Sequence, residues 1–296
     1  MPLTPIQQGV WLLRDGSNIG FIVVQGQAVI VDAGLDKDAG RKALRALDEL
    51  EAQPVGIIIT HAHADHFGGA AFLARRTGAP VYAPSFEATV VENPIWEPLY
   101  LYGGAAPPRE LRHKFILAQP CPVSQCIEAG PLTIGDIAVE VIPLPGHAWN
   151  QVGVAYRDTL FCADAFFPPE ILNKHGVPFC VDIDAALETL HRLSGLDYAH
   201  FVPGHGDVYE DISEVTSLNQ TRLEEIRSLI AAALTEPQDT ATLVQRVAEH
   251  YGVNISTLPQ YYLTRTTVLA ALTSLQAAGM VTAHVTQGCP QWVSNA

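Results

Sequence analysis

The sequence predicts an α+β fold in which two strand-and-helix sets are followed by a smaller, mostly helical region. Three observations carry this. Between residues 9 and 83, short β-branched and apolar runs give way to alternating helix and strand patterns. A second set of the same kind runs from 132 to 202. After Asp211 the apolar spacing becomes helical almost to the end of the chain.

In the first set, Gly9 to Arg14, Asn18 to Val24 and Gln27 to Asp32 read as strands. Asp15-Gly16 and Gln25-Gly26 separate them, the punctuation of an antiparallel meander. Lys37 to Glu51 places Ala43, Leu44, Leu47 and Leu50 on one helical stripe, and Pro54 lies beyond its end. A strand over Val55 to Ile59, a helix over Gly69 to Arg76 and a strand over Val81 to Ala83 follow. Residues 84 to 130 break the rhythm with seven prolines, and Trp96, Tyr100 and Tyr102 cluster among them. An insertion of that length is functional or partly helical, so its aromatics suit either a local core or subunit contact, or a substrate-covering wall.

The second set reads as strands over Leu132 to Ile134, Ile137 to Ile142, Val152 to Tyr156 and Thr159 to Cys162. A helix over Asp184 to Leu193 and a strand over His200 to Val202 complete it. Residues 1–212 are therefore expected to form one domain and 213–296 a second region. In that region, Ser213 to Leu234 and Asp239 to Tyr251 read as amphipathic helices, and Leu258 to Ala278 as a third segment closing at Gly279. Val281 to Val285 and Gln291 to Val293 look like a two-strand wing, so the region resembles a winged-helix module. From Glu236 onward, however, Arg246 and Arg265 are its only strong bases, whereas nucleic-acid binding needs phosphate-neutralising charge.

The formal net charge of −14, from 31 acidic and 17 basic residues, also opposes nucleic acid and anionic membranes as partners. No apolar run approaches the ~20 residues of a membrane span. The first residues show no basic stretch leading into an apolar one, so a cytoplasmic chain is expected. Five scattered cysteines read as reduced thiols rather than a disulfide framework. The expected partner is a small-molecule substrate, and assembly into a homo-oligomer is left open.

Chemistry concentrates in Thr60-His61-Ala62-His63-Ala64-Asp65-His66-Phe67-Gly68-Gly69. In an extended backbone, side chains two apart point the same way, so His61 and His63 can reach one metal ion. A turn after them swings Asp65 and His66 toward a second. The two glycines allow a helix to start close against the cluster. Downstream, Pro145-Gly146-His147 and Pro203-Gly204-His205 each follow a strand and deliver a histidine at a sheet edge.

With these motifs in order, the chain resembles the metallo-β-lactamase superfamily, in the form seen in glyoxalase II and related binuclear hydrolases. Val29 to Gly34, carrying Asp32, matches the first motif. The THxHxDHxGG run is the second, and Leu144 to His147 the third. Phe161 to Asp164 matches the fourth and Val202 to Gly206 the fifth, with Ala163 where the family usually has glycine. The resemblance covers residues from about 9 to 210 and implies an αββα sandwich. It also implies that His61, His63 and His147 hold one divalent ion, that Asp65, His66 and His205 hold another, and that Asp164 bridges them. Asp32 would buttress these ligands, although it also reads as an ordinary turn aspartate. His175 reads as a surface histidine near the pocket.

Imidazole and carboxylate donors suit zinc, with iron or manganese as alternatives. A water shared by two dications ionises near neutral pH, and Asp65 can orient it and help protonate the leaving group. The expected activity is therefore hydrolysis of a small ester, lactone or thioester by a bridging hydroxide. The runner-up is an iron-dependent persulfide dioxygenase on the same scaffold, and a phosphodiesterase is a third reading.

Overall fold

The computed structural model describes residues 3–295. Strands β2 (Val10–Arg14), β3 (Asn18–Val24) and β4 (Gln27–Val31) form the antiparallel meander. Gln25 and Gly26 both take positive φ, the conformation a two-residue hairpin turn demands. β1 (Leu3–Gln7), which carries little sequence signal, pairs with β2 at the sheet edge. Helix α1 (Lys37–Glu49) is opened by the Asp36 carboxylate, which accepts from the amides of Asp38 and Ala39. It leads to β5 (Gln53–Ile58), parallel to β4, and β6 (Val81–Pro84) and β7 (Gln125–Ile127) extend the sheet to seven strands.

A second sheet has the order β12-β11-β10-β9-β8, built from β8 (Gly130–Ile134), β9 (Ile137–Pro143), β10 (Val152–Tyr156), β11 (Thr159–Ala163) and β12 (His200–Pro203). Its pairs are antiparallel except β11 with β12, whose connection includes α6 (Pro169–His175) and α7 (Ile183–Leu193).

The two-residue period of the strands sorts their side chains into layers. Val29, Val31 and Ile58 join Val141, Val154 and Phe161 in a core between the sheets. The alternate residues Ala28, Ile30 and Ile57 face Ala43 and Leu47 of α1 and Leu73 of α3 (Ala70–Thr77). On the far side, Leu160, Cys162 and Phe201 meet α7 and the C-terminal helices. Four layers result, helix on sheet on sheet on helix, which is the expected αββα sandwich. Strands buried on both faces explain why the sequence shows apolar runs here rather than strict alternation.

Residues 84–130 are partly helical, with α4 (Ser85–Glu92), α5 (Trp96–Leu101) and a single 3₁₀ turn at Arg109–Leu111. Beyond the sandwich come α8 (Ser213–Ala233), α9 (Thr240–His250), α10 (Leu258–Ala277) and the hairpin β13 (Val281–Thr286) with β14 (Cys289–Ser294). These helices share one continuous apolar cluster with the second sheet: Leu223, Ile226, Leu243, Val247, Val268 and Leu272 lie in it with Leu160 and Phe201. Among the described residues, no helix is long and apolar enough to cross a membrane.

Candidate metal centre

The seven expected side chains arrive from one edge of the two sheets. The chain leaves β5 at Ile58 and runs through His61 and His63 into a one-turn helix, α2 (Ala64–Phe67), which carries Asp65 and His66. His147 follows β9, Asp164 follows β11 and His205 follows β12. The close approach of the α2–α3 junction to the loop after β4 depends on two glycines: a Cβ on Gly68 would lie 1.8 Å from the Leu35 carbonyl oxygen, and one on Gly69 2.2 Å from that of Ala33.

Donor atoms gather in three overlapping groups, each with its atoms within 4.8 Å of one another: His61, His63 and His147; His61, His66 and Asp164; and Asp65, His66 and His205. His63 Nδ1 lies 2.8 Å from His147 Nε2. Asp164 stands between the sets, with one carboxylate oxygen 3.4 Å from His66 Nε2 and the other 3.5 Å from both His147 Nε2 and His205 Nε2. Asp65 Oδ2 is 3.3 Å from His205 Nε2.

Each ring is oriented from behind. Asp32, buried and at φ 61°, accepts from the Thr60 amide at 2.8 Å and sits 2.8 Å from His66 Nδ1. Thr60 Oγ1 donates its single proton to Asp32, so it must accept from His61 Nδ1, 3.1 Å away, which leaves His61 Nε2 as a bare lone pair. His147 Nδ1 donates to the Phe179 carbonyl at 2.9 Å, and His205 Nδ1 to that of Gly16 at 2.8 Å. Outer hydrogen bonds of this kind fix which nitrogen faces a metal. Asp32 is thus tied to the cluster and is more than a turn residue.

Burial, with mutual repulsion among the rings, holds His61 well below the ordinary histidine range and takes His63 down to about 3; burial also lowers His147. These shifts favour the neutral ring, the form in which an imidazole can bind a metal. Burial opposes the shifts in the other set, but opposite charges prevail. His66 and His205 bring Asp65 down to about 2, and the same rings hold Asp164 well below the carboxylate range. Asp164 and Asp65 raise His66 strongly and His205 to about 10.

The residues fit a cation. His61 Nε2 is buried without a partner, and buried His66 Nε2 and Asp164 Oδ1 make no hydrogen bond and face each other at 3.4 Å, a costly state for polar atoms that a bound ion would relieve.

Several supporting groups carry no sequence signal. The carbonyls of Gly16 and Phe179 act through backbone atoms alone. Ser17 Oγ donates to the Asp65 carbonyl, and Asn18 Nδ2 to those of Pro203 and Gly206, so one turn braces two motifs. Buried Glu87 accepts from the Ala62 and Asn150 amides, both at 2.9 Å, joining the second motif to the loop of the third. His175 is exposed at the end of α6, outside the three groups. The aromatics of the insertion divide: Tyr102 packs in a small cluster with Leu101, Leu111 and Phe179, whereas Trp96 and Tyr100 are 50% and 44% exposed. All five cysteines are free, so none forms a disulfide.

A hydroxyacylglutathione hydrolase of Anaeromyxobacter dehalogenans is 27% identical over 238 residues, which cover 78% of this chain and 79% of that protein. The chain spans about half the length of several other curated relatives it matches. A beta-lactamase domain protein from Burkholderia ambifaria superposes with a TM-score of 0.77 at 17% identity, covering 99% of this chain and 93% of that one. A metallo-beta-lactamase family protein from Thermus thermophilus gives 0.73 at 19% identity, covering 98% and 99%. Both similarities in fold therefore extend through the C-terminal helices and hairpin. Residues 12–205, which hold every residue of the donor cluster, match the model of the metallo-beta-lactamase superfamily, and the chain belongs to that superfamily.

Proposed function

We propose that the chain is a hydrolase that uses two divalent ions to cleave a small ester, lactone or thioester. One observation carries this reading: Asp164 stands between two sets of three donors, and buried donor atoms on both sides of it lack any other partner. His61, His63 and His147 would hold one ion, and Asp65, His66 and His205 the other, with Asp164 shared. The donor set has no thiolate and suits zinc. When bound, such a pair lowers the pKa of a shared water and polarises the scissile carbonyl.

The chain's own residues supply the rest. The Asp65 side chain, 31% exposed, faces both His205 and solvent, where it can orient the attacking water and carry its proton to the leaving group. Asp32, Thr60 and the carbonyls of Gly16 and Phe179 hold the rings in place, so little reorganisation accompanies the reaction. Relatives named hydroxyacylglutathione hydrolase support carbonyl hydrolysis. A small, uncharged or cationic substrate suits the net charge of −14 better than a polynucleotide. The three tail helices and hairpin have the order of a winged-helix module, and their apolar packing on the second sheet supports a bracing role.

The test is a panel of ester, lactone and thioester substrates with zinc-loaded protein, with metal content measured on each sample. Wild type should turn over at least one class, and Asp65→Asn should lower kcat about 10²-fold or more. A fully loaded wild type inert toward all three, but consuming oxygen with a persulfide when loaded with iron, would overturn the reading.

A further inference from the structure

We propose that Thr267, on the C-terminal helix α10, is a positioning residue for His147, so that the tail sets the affinity of the first metal position. This rests on the two-ion reading above and adds a residue far along the chain from the five motifs.

Thr267 is fully buried. Its hydroxyl donates to the Pro178 carbonyl at 2.9 Å and accepts from the Cys180 amide at 3.1 Å. A helical threonine commonly bonds back to its own helix; this one sends both bonds to another segment. The two groups it holds flank Phe179, whose carbonyl accepts from His147 Nδ1 at 2.9 Å. The Phe179 ring also meets the rings of His63 and His147 edge-on, with centroids 5.2 and 5.6 Å away. The segment is pinned along the third motif as well, since the Val181 and Asp182 amides donate to the Gly146 carbonyl at 2.9 and 3.1 Å.

Further contacts make α10 a clamp rather than a single point. Ser274 Oγ, two turns beyond Thr267, donates to Asp184 at 2.6 Å in the first turn of α7. Tyr262 and Leu263, one turn before it, pack with Phe179 and with Leu101, Leu111 and Ile116 of the insertion. α10 therefore grips the 178–184 segment at both ends. If packing alone were required of residue 267, valine would fill the same space. Valine would, however, leave the Pro178 carbonyl and Cys180 amide unpaired in the interior, free to turn elsewhere and carry the Phe179 carbonyl with them. Loss of a group that orients a ligating histidine typically weakens metal binding about 10- to 100-fold.

The experiment is a zinc titration of metal-free, full-length protein against a chromophoric chelator, with a thermal melt of each sample. Wild type, Thr267→Val, Thr267→Ser and His147→Ala are compared. Thr267→Val should weaken one of the two zinc equivalents about 10- to 100-fold and leave the other nearly unchanged. Thr267→Ser, which keeps the hydroxyl, should restore wild-type affinity even if its melt is lower. If Thr267→Val does not fold, Thr267→Ala takes its place, with amide hydrogen exchange over 178–182 as a second readout that should accelerate. A folded Thr267→Val with both affinities unchanged, while His147→Ala loses one equivalent, would overturn the proposal and leave the two-ion reading intact. Wild-type affinities in His147→Ala would overturn both.

Discussion

At Gly204 the missing side chain is what lets the central carboxylate stand where it does. A Cβ there would lie 2.0 Å from Asp164 Oδ1 and 2.7 Å from His66 Cε1, so Gly204→Ala should displace both. The expected outcome is a loss of about 1 to 3 kcal/mol in a urea melt, together with weakened zinc binding; an unchanged titration would contradict it. Ala163, just before Asp164, takes φ 49°, a left-handed conformation that glycine adopts more readily than alanine. The donors themselves were legible, because histidine and aspartate at metal-ligand spacing are rare by chance. Of their supports, only Asp32 was, through its own motif. A carbonyl such as that of Phe179 belongs to every residue type, and Thr60 gains its role only through its position between Asp32 and His61.

At the level of elements, the long helices α1, α8 and α9 and the meander could be read because several turns or pairs repeat the same apolar period. α5 spans only Trp96–Leu101 and β7 only Gln125–Ile127, too short for any period to show, and their places depend on what they pack against. α5 carries a testable burden in Glu97. Burial, aided by the negative charges of Asp65 and Glu87, raises its pKa well above the ordinary value. In metal-free protein the unfolded chain therefore releases this proton at lower pH than the folded one. Its contribution to stability is fully present below the unfolded pKa and is lost as pH rises toward the folded one. Glu97→Gln should remove that slope, so the variant's melting temperature should gain on wild type as pH rises above the ordinary glutamate range. A constant difference over that rise would show that Glu97 ionises freely in the fold.

At the level of the whole molecule, charge and periodicity mark residues 213–296 as different in character but cannot say what they rest on. The structure answers with a shared cluster in which Val268, Ala271 and Leu272 of α10 pack with Leu190 of α7 and with Leu223 and Ile226 of α8. A chain ending at Leu234 would uncover Leu190, Leu223 and Ile226 together with the segment that Thr267 holds. It should lose its cooperative melt and bind a hydrophobic dye; a soluble, sharply melting fragment with full metal affinity would contradict this. The strands of the sandwich were legible as apolar runs because both their faces meet apolar layers, whereas their stacking into four layers was expected from the family resemblance.

The central claim is that His61, His63, His147, Asp164, Asp65, His66 and His205 form one site for two ions. Its most direct test is the zinc content of metal-free protein reconstituted with excess zinc and then freed of unbound metal, measured by elemental analysis for wild type and Asp164→Ala. Wild type should hold close to two ions per chain, and the variant should lose both together if, as proposed, the two ions share this carboxylate. A wild type that saturates at one ion, or an Asp164→Ala that still retains two, would contradict the account.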